Sequence, residues 1–303
     1  MQDCFEQFRR RFDDLAIECV LPTVLQHMTE EDLLPVISEF DGMIAGDDHL
    51  TSRVLDRADR LRIISKWGIG TDAIDLVAAA RRGIRVTNTP SVFGDDVADV
   101  VAGYLVMLAR KLHLIDAAVK SGVWRKHRGI ALAGATLGIY GMGSIGRSVA
   151  QRGRGFGMRV VGFDVAASAL TLAAESGIEL VADADELFRC ADFLVLCAPA
   201  TPETRHVVNP GSLALMPDGS FLINVSRGAL VDEEALADAL AAQRLEGAAL
   251  DVFEQEPLPA SSRLRTFDGC IFGSHNASNT EQGVRRASER AVENLIRGLV
   301  DQN

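Results

Sequence analysis

A glycine-rich turn, GMGSIG at residues 141–146, stands between a strand-like apolar run and a helix-like segment. Gly141 can adopt the backbone of a tight turn, Gly143 leaves room for a pyrophosphate beside the main chain, and Gly146 lets the helix pack closely on the strand. The amides and the positive end of the helix dipole would then face the anion. With an acid, Asp164, about 20 residues further on, the spacing predicts a dinucleotide-binding turn. An ordinary glycine turn with a surface aspartate is the alternative.

Asp164 also bears on which dinucleotide is bound. A carboxylate at the end of the second strand can accept hydrogen bonds from ribose hydroxyls, and it would repel a 2′-phosphate. The residues that follow, Val165 and Ala166, offer no arginine to such a phosphate. The sequence therefore predicts NAD rather than NADP as the cofactor.

Three further segments place chemically useful residues where apolar runs end. Arg227 follows the run 220–224, and an arginine there could fork onto a carboxylate and polarise a carbonyl. Asp251 and Glu256 follow the next run and could position a histidine and favour its charged form. His275 follows the last run, and a proton carrier near neutral pH is what carbonyl reduction needs.

Each of these residues also has an ordinary structural explanation. A lone arginine is often part of a surface salt bridge, and acids in a loop are usually solvated. The other histidines lie in polar or helical surroundings that favour surface roles, namely His27, His49, His113, His127 and His206. The chemical interpretation therefore depends on a fold that brings the strand ends together.

Strand-like runs alternate with helical patterns along the whole chain, which is typical of an α/β protein. The predicted strands are 17–20, 42–45, 63–65, 85–87, 136–140, 159–163, 193–197, 220–224, 247–250 and 270–273. The predicted helices include 3–12, 30–39, 71–82, 95–120, 144–152, 185–190, 232–242 and 281–300. Ligands bind at the carboxyl ends of strands in open α/β sheets, so the residues above could share one site.

The sequence predicts two domains. Residues 1–90 have βα units but no glycine-rich turn, residues 91–279 carry that turn, and residues 280–303 form a helix that would return to the first domain. This division predicts two crossovers and a hinged cleft. The apolar helix at 95–120 suits a domain or subunit interface, with a plain core helix as the alternative.

Composition excludes several classes of protein. The chain of 303 residues is 48% hydrophobic and 24% charged, as in a globular protein with one large or two medium domains. Its net charge of −11 argues against nonspecific nucleic-acid binding. Its five cysteines include no CxxC pair, so neither a metal site nor a disulfide framework is predicted. The sequence lacks a membrane-spanning run and a signal peptide, and we expect a cytoplasmic protein.

The order of these motifs resembles the D-isomer-specific 2-hydroxyacid dehydrogenases, and their phosphoglycerate dehydrogenase branch most of all. The resemblance covers nearly the whole chain. Its motifs are KWGIGTD at 66–72, NTP at 88–90, the glycine turn, PATPET at 199–204, NVSRG at 224–228, LDVFEQEP at 250–257 and the segment around His275. The resemblance implies an α/β fold of two doubly wound domains, with a Rossmann NAD-binding domain inserted in a smaller flavodoxin-like substrate domain, and a homodimer.

The resemblance also implies roles for single residues. Arg227 would bind the substrate carboxylate and carbonyl oxygen, His275 would donate a proton to that oxygen as NADH delivers hydride, and Glu256 would hold His275. Asp251 would lie near the nicotinamide. The other cofactor-binding positions match Gly141, Gly143, Ser144, Ile145, Gly146, Asp164, Ala198, Val225 and Ser226. The substrate-binding positions match Lys66, Ile69, Gly70 and Arg227.

Some departures from the family lie near the substrate-binding positions. The family usually has Pro-His-Leu or Pro-His-Ile where this chain has SHN at 274–276, and Trp67 is bulkier than the small residue common there. Lys66 and the pair at 125–126 could supply cations for a phosphate, or could simply be solvated. The family also opens with a strand, whereas this chain begins at a helical pattern, so we expect that strand to be absent or to lie upstream.

The expected function is hydride transfer between NAD(H) and a small 2-hydroxy or 2-oxo acid, foremost 3-phosphoglycerate or phosphohydroxypyruvate. A hydroxypyruvate or glyoxylate reductase is the alternative within this class. An NAD-sensing interaction protein on the same fold is the alternative outside it. The presence of Arg227, Glu256 and His275 favours catalysis.

Overall fold

The computed structural model of the chain describes residues 2–23 and 27–300. The chain divides into two compact units. The smaller unit comprises the chain up to Phe93 together with the segment from Asn279, and the larger unit is Gly94–Ser278. The domain boundaries predicted from the sequence lie close to this division.

A short parallel sheet organises the described part of the smaller unit. Its strands are β1 (Gly42–Ala45), β2 (Ile63–Lys66) and β3 (Arg85–Thr87), side by side in that order. Its α-helices are α1 (Arg9–Asp13), α2 (Glu30–Leu33), α3 (Ser52–Leu55), α4 (Leu76–Arg81) and α12 (Glu281–Val300).

Both faces of this sheet are buried, because neighbouring residues of β2 pack into different apolar clusters. Ile63 packs with Leu295 of α12, and the Ser65 hydroxyl donates to the Ala291 carbonyl at 2.8 Å. Ile64 packs on the other face, among residues of α2, α3 and α4. The C-terminal helix is therefore part of the smaller unit, and the sheet is covered by helices on both sides.

A longer parallel sheet organises the larger unit. Its strands are β4 (Thr136–Tyr140), β5 (Arg159–Phe163), β6 (Glu179–Leu180), β7 (Phe193–Leu196), β8 (Ser220–Asn224), β9 (Leu245–Leu250) and β10 (Cys270–Phe272). They are arranged in the order β10-β9-β8-β7-β4-β5-β6. The helices are α5 (Gly94–Arg110), α6 (Leu112–Lys120), α7 (Ser144–Gly155), α8 (Ala167–Glu175), α9 (Ala184–Cys190), α10 (Pro210–Leu215) and α11 (Glu233–Ala241). The strand order reverses between β4 and β7, as in a Rossmann fold, where a dinucleotide binds at this point.

Most predicted strands are confirmed, but the strand predicted at residues 17–20 is wrong. These residues form no strand. Ile17 packs against the apolar cluster that contains Ile63, whereas Val20 is 60% exposed, so the run contributes one anchoring side chain and no strand. Strand β6 was not predicted, because two residues are too few to show a pattern. Pro35 divides the predicted helix 30–39 into α2 and a 3₁₀ helix, Ile37–Glu39.

The single helix predicted at 95–120 is two helices. Lys111 adopts a left-handed φ of 53° and separates α5 from α6. The apolar face of α5 is buried within the larger unit, through Val97, Val101, Tyr104, Leu105 and Leu108. None of the residues of α6 is buried. The core-helix interpretation therefore applies to α5, and only α6 keeps an uncovered apolar face.

Candidate active site

The glycine turn joins β4 to α7 at the reversal of strand order. Gly141 has a φ of 102°, and a Cβ there would lie 2.6 Å from the Ala198 nitrogen, just beyond β7. Only glycine tolerates this backbone and this approach. Helix α7 begins at Ser144 with Gly143 as its N-cap, and no described side chain caps it. A Cβ on Gly143 would meet nothing within 4 Å. The amides of Ser144 and Ile145 can therefore receive an anion, and a pyrophosphate fits this turn.

Asp164 is fixed beside the glycine turn by two backbone amides. One carboxylate oxygen accepts the Met142 N–H at 2.7 Å, and the other accepts the Ala166 N–H at 2.8 Å. The carboxylate is therefore oriented before any ligand binds, with acceptor capacity left for ribose hydroxyls. The adjacent Val165 is 87% exposed and supplies no cation for a 2′-phosphate.

We expect Asp164→Ser to weaken NADH binding by about tenfold, because the ribose loses a charged acceptor. Removing the carboxylate also removes its repulsion of a 2′-phosphate, so the preference for NADH over NADPH should fall. The ratio of kcat/KM with the two cofactors measures this preference. Val165→Ser, at the exposed neighbouring position, is the control and should leave the ratio unchanged. An unaltered ratio in Asp164→Ser would contradict the assignment.

Asn224 shapes the turn that follows β8. Its side-chain oxygen accepts hydrogen bonds from the Ser226 N–H and hydroxyl at 3.1 and 3.0 Å, and its Nδ2 donates to the Arg227 carbonyl at 2.8 Å. Asn224 is fully buried, and Val225 is 7% exposed. Val225 and Ser226, which the resemblance assigns to the cofactor, thus lie in a braced turn at the sheet edge that also carries the glycine turn.

His275 and Glu256 form a direct pair. His275 Nδ1 lies 2.8 Å from Glu256 Oε2, and each side chain is 23% exposed. A carboxylate can only accept, so Nδ1 carries the proton and Nε2 is the nitrogen that can exchange a proton with a substrate. The second oxygen of Glu256 accepts the Phe253 N–H at 2.9 Å, which fixes the carboxylate. His275 has a left-handed φ of 56°, a conformation found mostly where surrounding structure imposes it.

The turn that carries Arg227 packs against the segment that carries Glu256. Its Nη1 donates to the Ser226 carbonyl at 2.9 Å. The next residue, Gly228, lies so close to the Phe253–Glu254 peptide that an added Cβ would overlap it. Arg227, Glu256 and His275 follow β8, β9 and β10, which are adjacent strands. The structure therefore brings the three predicted residues to one edge of one sheet.

Asp251 lies directly beneath the His275 segment. It is 2% exposed, and its two carboxylate oxygens accept the N–H groups of Asn276 and Ala277 at 3.1 and 2.8 Å. Its carbonyl accepts the His275 N–H at 2.7 Å. Burial and the charge of Asp251 raise the pKa of Tyr104 to about 12. The nicotinamide contact implied by the resemblance stays a prediction, and the observed role of Asp251 is to hold this segment.

Of the residues predicted to bind substrate, Lys66, Ile69 and Gly70 lie in the smaller unit, at the end of β2 and in the segment that follows it. Lys66 is 3% exposed, and its Nζ donates to the Trp67 carbonyl at 3.0 Å and pairs with Asp47 at 3.2 Å. The Ile69 carbonyl accepts from Asn88 Nδ2 at 2.8 Å. The segment up to Gly70 is thus braced from within its own unit, and its contact with substrate stays a prediction.

Sequence reasoning missed several residues that support the site. Asp47 forms an ion pair with Lys66, and Asn224 forms hydrogen bonds with Ser226 and Arg227. The sequence singled out these three partners but neither Asp47 nor Asn224 as a site residue. The NTP motif at 88–90 was the available signal for Asn88, and no local signal distinguished Asp47. Within residues 2–23 and 27–300, no group of His, Cys, Asp and Glu side chains could hold a metal ion. No helix in those ranges is both long and apolar enough to cross a membrane.

Known proteins share both the sequence pattern and the fold. The family model described as "D-isomer specific 2-hydroxyacid dehydrogenase, NAD binding domain" matches residues 102–277. The D-3-phosphoglycerate dehydrogenase of Methanocaldococcus jannaschii is 36% identical over 282 residues, which cover 91% of this chain and 53% of that protein. The chain thus spans about half the length of that relative.

Two further comparisons cover nearly the whole of both chains. The hydroxypyruvate reductase of Thermotoga maritima is 34% identical over 284 residues, which cover 92% of this chain and 91% of that protein. The structure of the D-lactate dehydrogenase of Aquifex aeolicus, solved with NAD and lactic acid, matches with a TM-score of 0.86 at 28% identity. The match covers 99% of this chain and 95% of the dehydrogenase chain. The dehydrogenases and the reductase among these relatives are named for different substrates.

Proposed function

Because the chain belongs to the D-isomer-specific 2-hydroxyacid dehydrogenase family, we propose that it is an NAD-dependent enzyme that interconverts a small D-2-hydroxy acid and its 2-oxo acid. The larger unit would be the NAD-binding domain and the smaller unit the substrate domain. The observation that carries the proposal is the 2.8 Å pair of His275 and Glu256, in the unit that also contains the glycine turn.

The residues at the sheet edge have distinct roles in the proposed reaction. When bound, NADH supplies the hydride. Arg227 would bind the substrate carboxylate and polarise the carbonyl, since a guanidinium matches a carboxylate in a two-point contact. His275 would donate the Nε2 proton to the carbonyl oxygen during reduction and accept it during oxidation. Glu256 would stabilise the protonated ring and fix its orientation.

Two observations favour different substrates. The relative that is 36% identical is a D-3-phosphoglycerate dehydrogenase, which supports phosphohydroxypyruvate as the 2-oxo acid. The ion pair of the buried Lys66 with Asp47 supports an unphosphorylated acid such as hydroxypyruvate or glyoxylate, because the lysine charge already has a partner. We therefore propose two candidate substrates. Phosphohydroxypyruvate comes first because of the similar relative, and hydroxypyruvate comes second because of the Lys66–Asp47 ion pair.

We expect Lys66→Met to raise the KM of phosphohydroxypyruvate and of hydroxypyruvate by the same factor, about tenfold. The lysine braces the Trp67 carbonyl within its own unit, so its loss should loosen the binding segment for any acid. Steady-state kinetics with the two acids measure the two KM values. A loss confined to the phosphorylated acid would instead assign Lys66 to the phosphate. Arg53→Met, which removes an exposed cation of the same unit, is the control.

NADH oxidation with a panel of acids tests the function itself. The panel is phosphohydroxypyruvate, hydroxypyruvate, glyoxylate, pyruvate and 2-oxoglutarate. Turnover of at least one acid supports the proposal, and the ranking of kcat/KM selects the substrate. If the protein bound NADH but reduced none of them, the NAD-sensing interaction protein would become the better interpretation.

We also propose that the protein forms a homodimer, as the resemblance implies. The support is an exposed apolar face on α6 and the segment after it. Leu112, Val119, Val123 and Trp124 are 43%, 48%, 52% and 86% exposed. Apolar side chains clustered in this way usually mark an interaction surface. Analytical ultracentrifugation of the purified protein measures the assembly.

A further inference from the structure

His206 lies outside the residues to which the reaction has been assigned, yet it is bound to two of the segments that carry them. Its N–H donates to the Ala229 carbonyl at 2.9 Å, and Val208 pairs with Val231 in a parallel bridge. Ala229 comes two positions after Arg227 in the chain. The His206 backbone is therefore attached to the segment that begins with Arg227.

The side chain of His206 reaches the other segment. Its Nε2 lies 2.6 Å from Glu254 Oε1, and both side chains are 33% exposed. The carboxylate can only accept, so Nε2 is the donor. His206 also has a left-handed φ of 48°, which glycine would adopt without strain and a histidine adopts at a cost. Its polar surroundings in the sequence favour a surface role, and the side chain is partly exposed while it makes this long-range contact.

Glu254 in turn fixes the backbone that carries Glu256. Its N–H donates to Glu233 Oε1 at 2.7 Å, and its other carboxylate oxygen accepts the Glu233 N–H at 3.5 Å. Glu233 is the first residue of α11, so a helix end, the His206 turn and the Glu254 segment meet here. Two residues later, Glu256 is held by the Phe253 N–H and faces His275.

Four carboxylates therefore lie near one another at this junction, those of Glu233, Glu234, Glu254 and Glu256. Burial raises the pKa of Glu233. A hydrogen bond from the Glu254 N–H lowers this pKa, and the charges of Glu254, Glu234 and Glu256 raise it. Carboxylates of like charge would separate unless donors held them. His206 supplies such a donor to Glu254 and is anchored beside Arg227.

We propose that His206 is a positioning residue, which ties the Arg227 segment to the Glu256 segment and so keeps Glu256 on His275. Its importance for turnover rests on the proposed function, whereas its effect on the Glu256–His275 contact does not. The side chain would act through Glu254, without touching substrate or cofactor.

The substitution His206→Gly isolates this role. Glycine relieves the left-handed backbone, so the protein should keep its melting temperature while losing the contact to Glu254. The matched control is Gln243→Gly, since Gln243 is exposed and has a left-handed φ of 55° at the end of α11. Glu254→Ala is the second test variant, because it removes the oxygen that accepts the His206 hydrogen bond. It removes a negative charge, whereas His206→Gly removes the donor to that charge, so an effect shared by both variants indicates that the contact itself is lost.

The first measurement needs no turnover. The ¹⁵N chemical shifts of the His275 ring, recorded at alkaline pH, report which nitrogen carries the proton. Glu256 holds the proton on Nδ1 in the native protein, and Glu256→Gln should move it toward Nε2. We expect His206→Gly and Glu254→Ala to shift the balance in the same direction, and Gln243→Gly to leave it unchanged. Native His275 shifts in both test variants would overturn the proposal.

The second measurement uses the substrate found in the panel. We expect His206→Gly to lower kcat by about tenfold with NADH affinity unchanged. In the Glu256→Gln background the same substitution should cause no further loss, because His206 acts through Glu256. An equal loss in both backgrounds would show a general structural effect and overturn the proposal. If the native protein turns over no acid, the proposed function fails, and the His275 shifts still decide the role of His206.

Discussion

Replacing His275 with alanine is expected to lower kcat by about 10³-fold, which lies within the usual contribution of a positioned general acid. Without the imidazole, none of the described residues that follow β8, β9 and β10 is placed to give a proton to the carbonyl oxygen. The NADH dissociation constant should change little, because the residues assigned to the cofactor are fixed by other contacts. The glycine turn is shaped by Gly141, and Asp164 is held by backbone amides.

Steady-state kinetics and NADH fluorescence titration measure the two quantities for His275→Ala separately. Glu256→Gln should give a smaller loss of kcat, about 10²-fold, because the histidine remains but loses the carboxylate that orients it. His49→Ala, which removes an exposed histidine of the smaller unit, is the control and should match the native protein. A large loss of NADH affinity in His275→Ala would show that His275 holds the cofactor rather than the transferred proton.

The framework of the larger unit could be predicted because its strands are buried on both faces. Such strands appear as uninterrupted apolar runs, and all residues of β4, β7 and β8 are buried. The glycine turn was predictable for a related reason. The backbone at Gly141 and the close approach of Ala198 restrict that position to glycine. The residue type alone therefore indicates the turn.

Local patterns failed where distant contacts decide the outcome. Lys111 breaks the helix between α5 and α6 although neither glycine nor proline marks the position. Among the acids at 251–256, composition offered no way to choose the partner of His275, and the resemblance alone pointed to Glu256. His206 is 48 positions from Glu254, so its polar neighbours in sequence gave no sign of that contact.

Asp251→Ala is expected to impair both stability and turnover. The substitution leaves the buried N–H of Ala277 and the N–H of Asn276 without their acceptor, and an unsatisfied buried donor costs about 1–3 kcal/mol. We therefore expect the free energy of unfolding to fall by about 3 kcal/mol. The same amides fix the turn that holds His275 in its left-handed conformation, so kcat should fall by about 10²-fold through misplacement of the ring.

Two further variants distinguish this holding role from a contact with the nicotinamide. Gly273→Ala leaves every carboxylate in place, but its added Cβ would overlap the Asp251 carboxylate, so it should reproduce the loss of stability and of kcat. Asp218→Ala removes an exposed acid that pairs with Arg244 and controls for the change in charge. Denaturant unfolding, kcat and the NADH dissociation constant are compared across the set. If Asp251→Ala weakened NADH binding strongly while stability stayed native, Asp251 would serve the cofactor alone. A joint loss of stability and kcat in both Asp251→Ala and Gly273→Ala, with NADH affinity nearly retained, would establish that Asp251 places His275 for proton transfer.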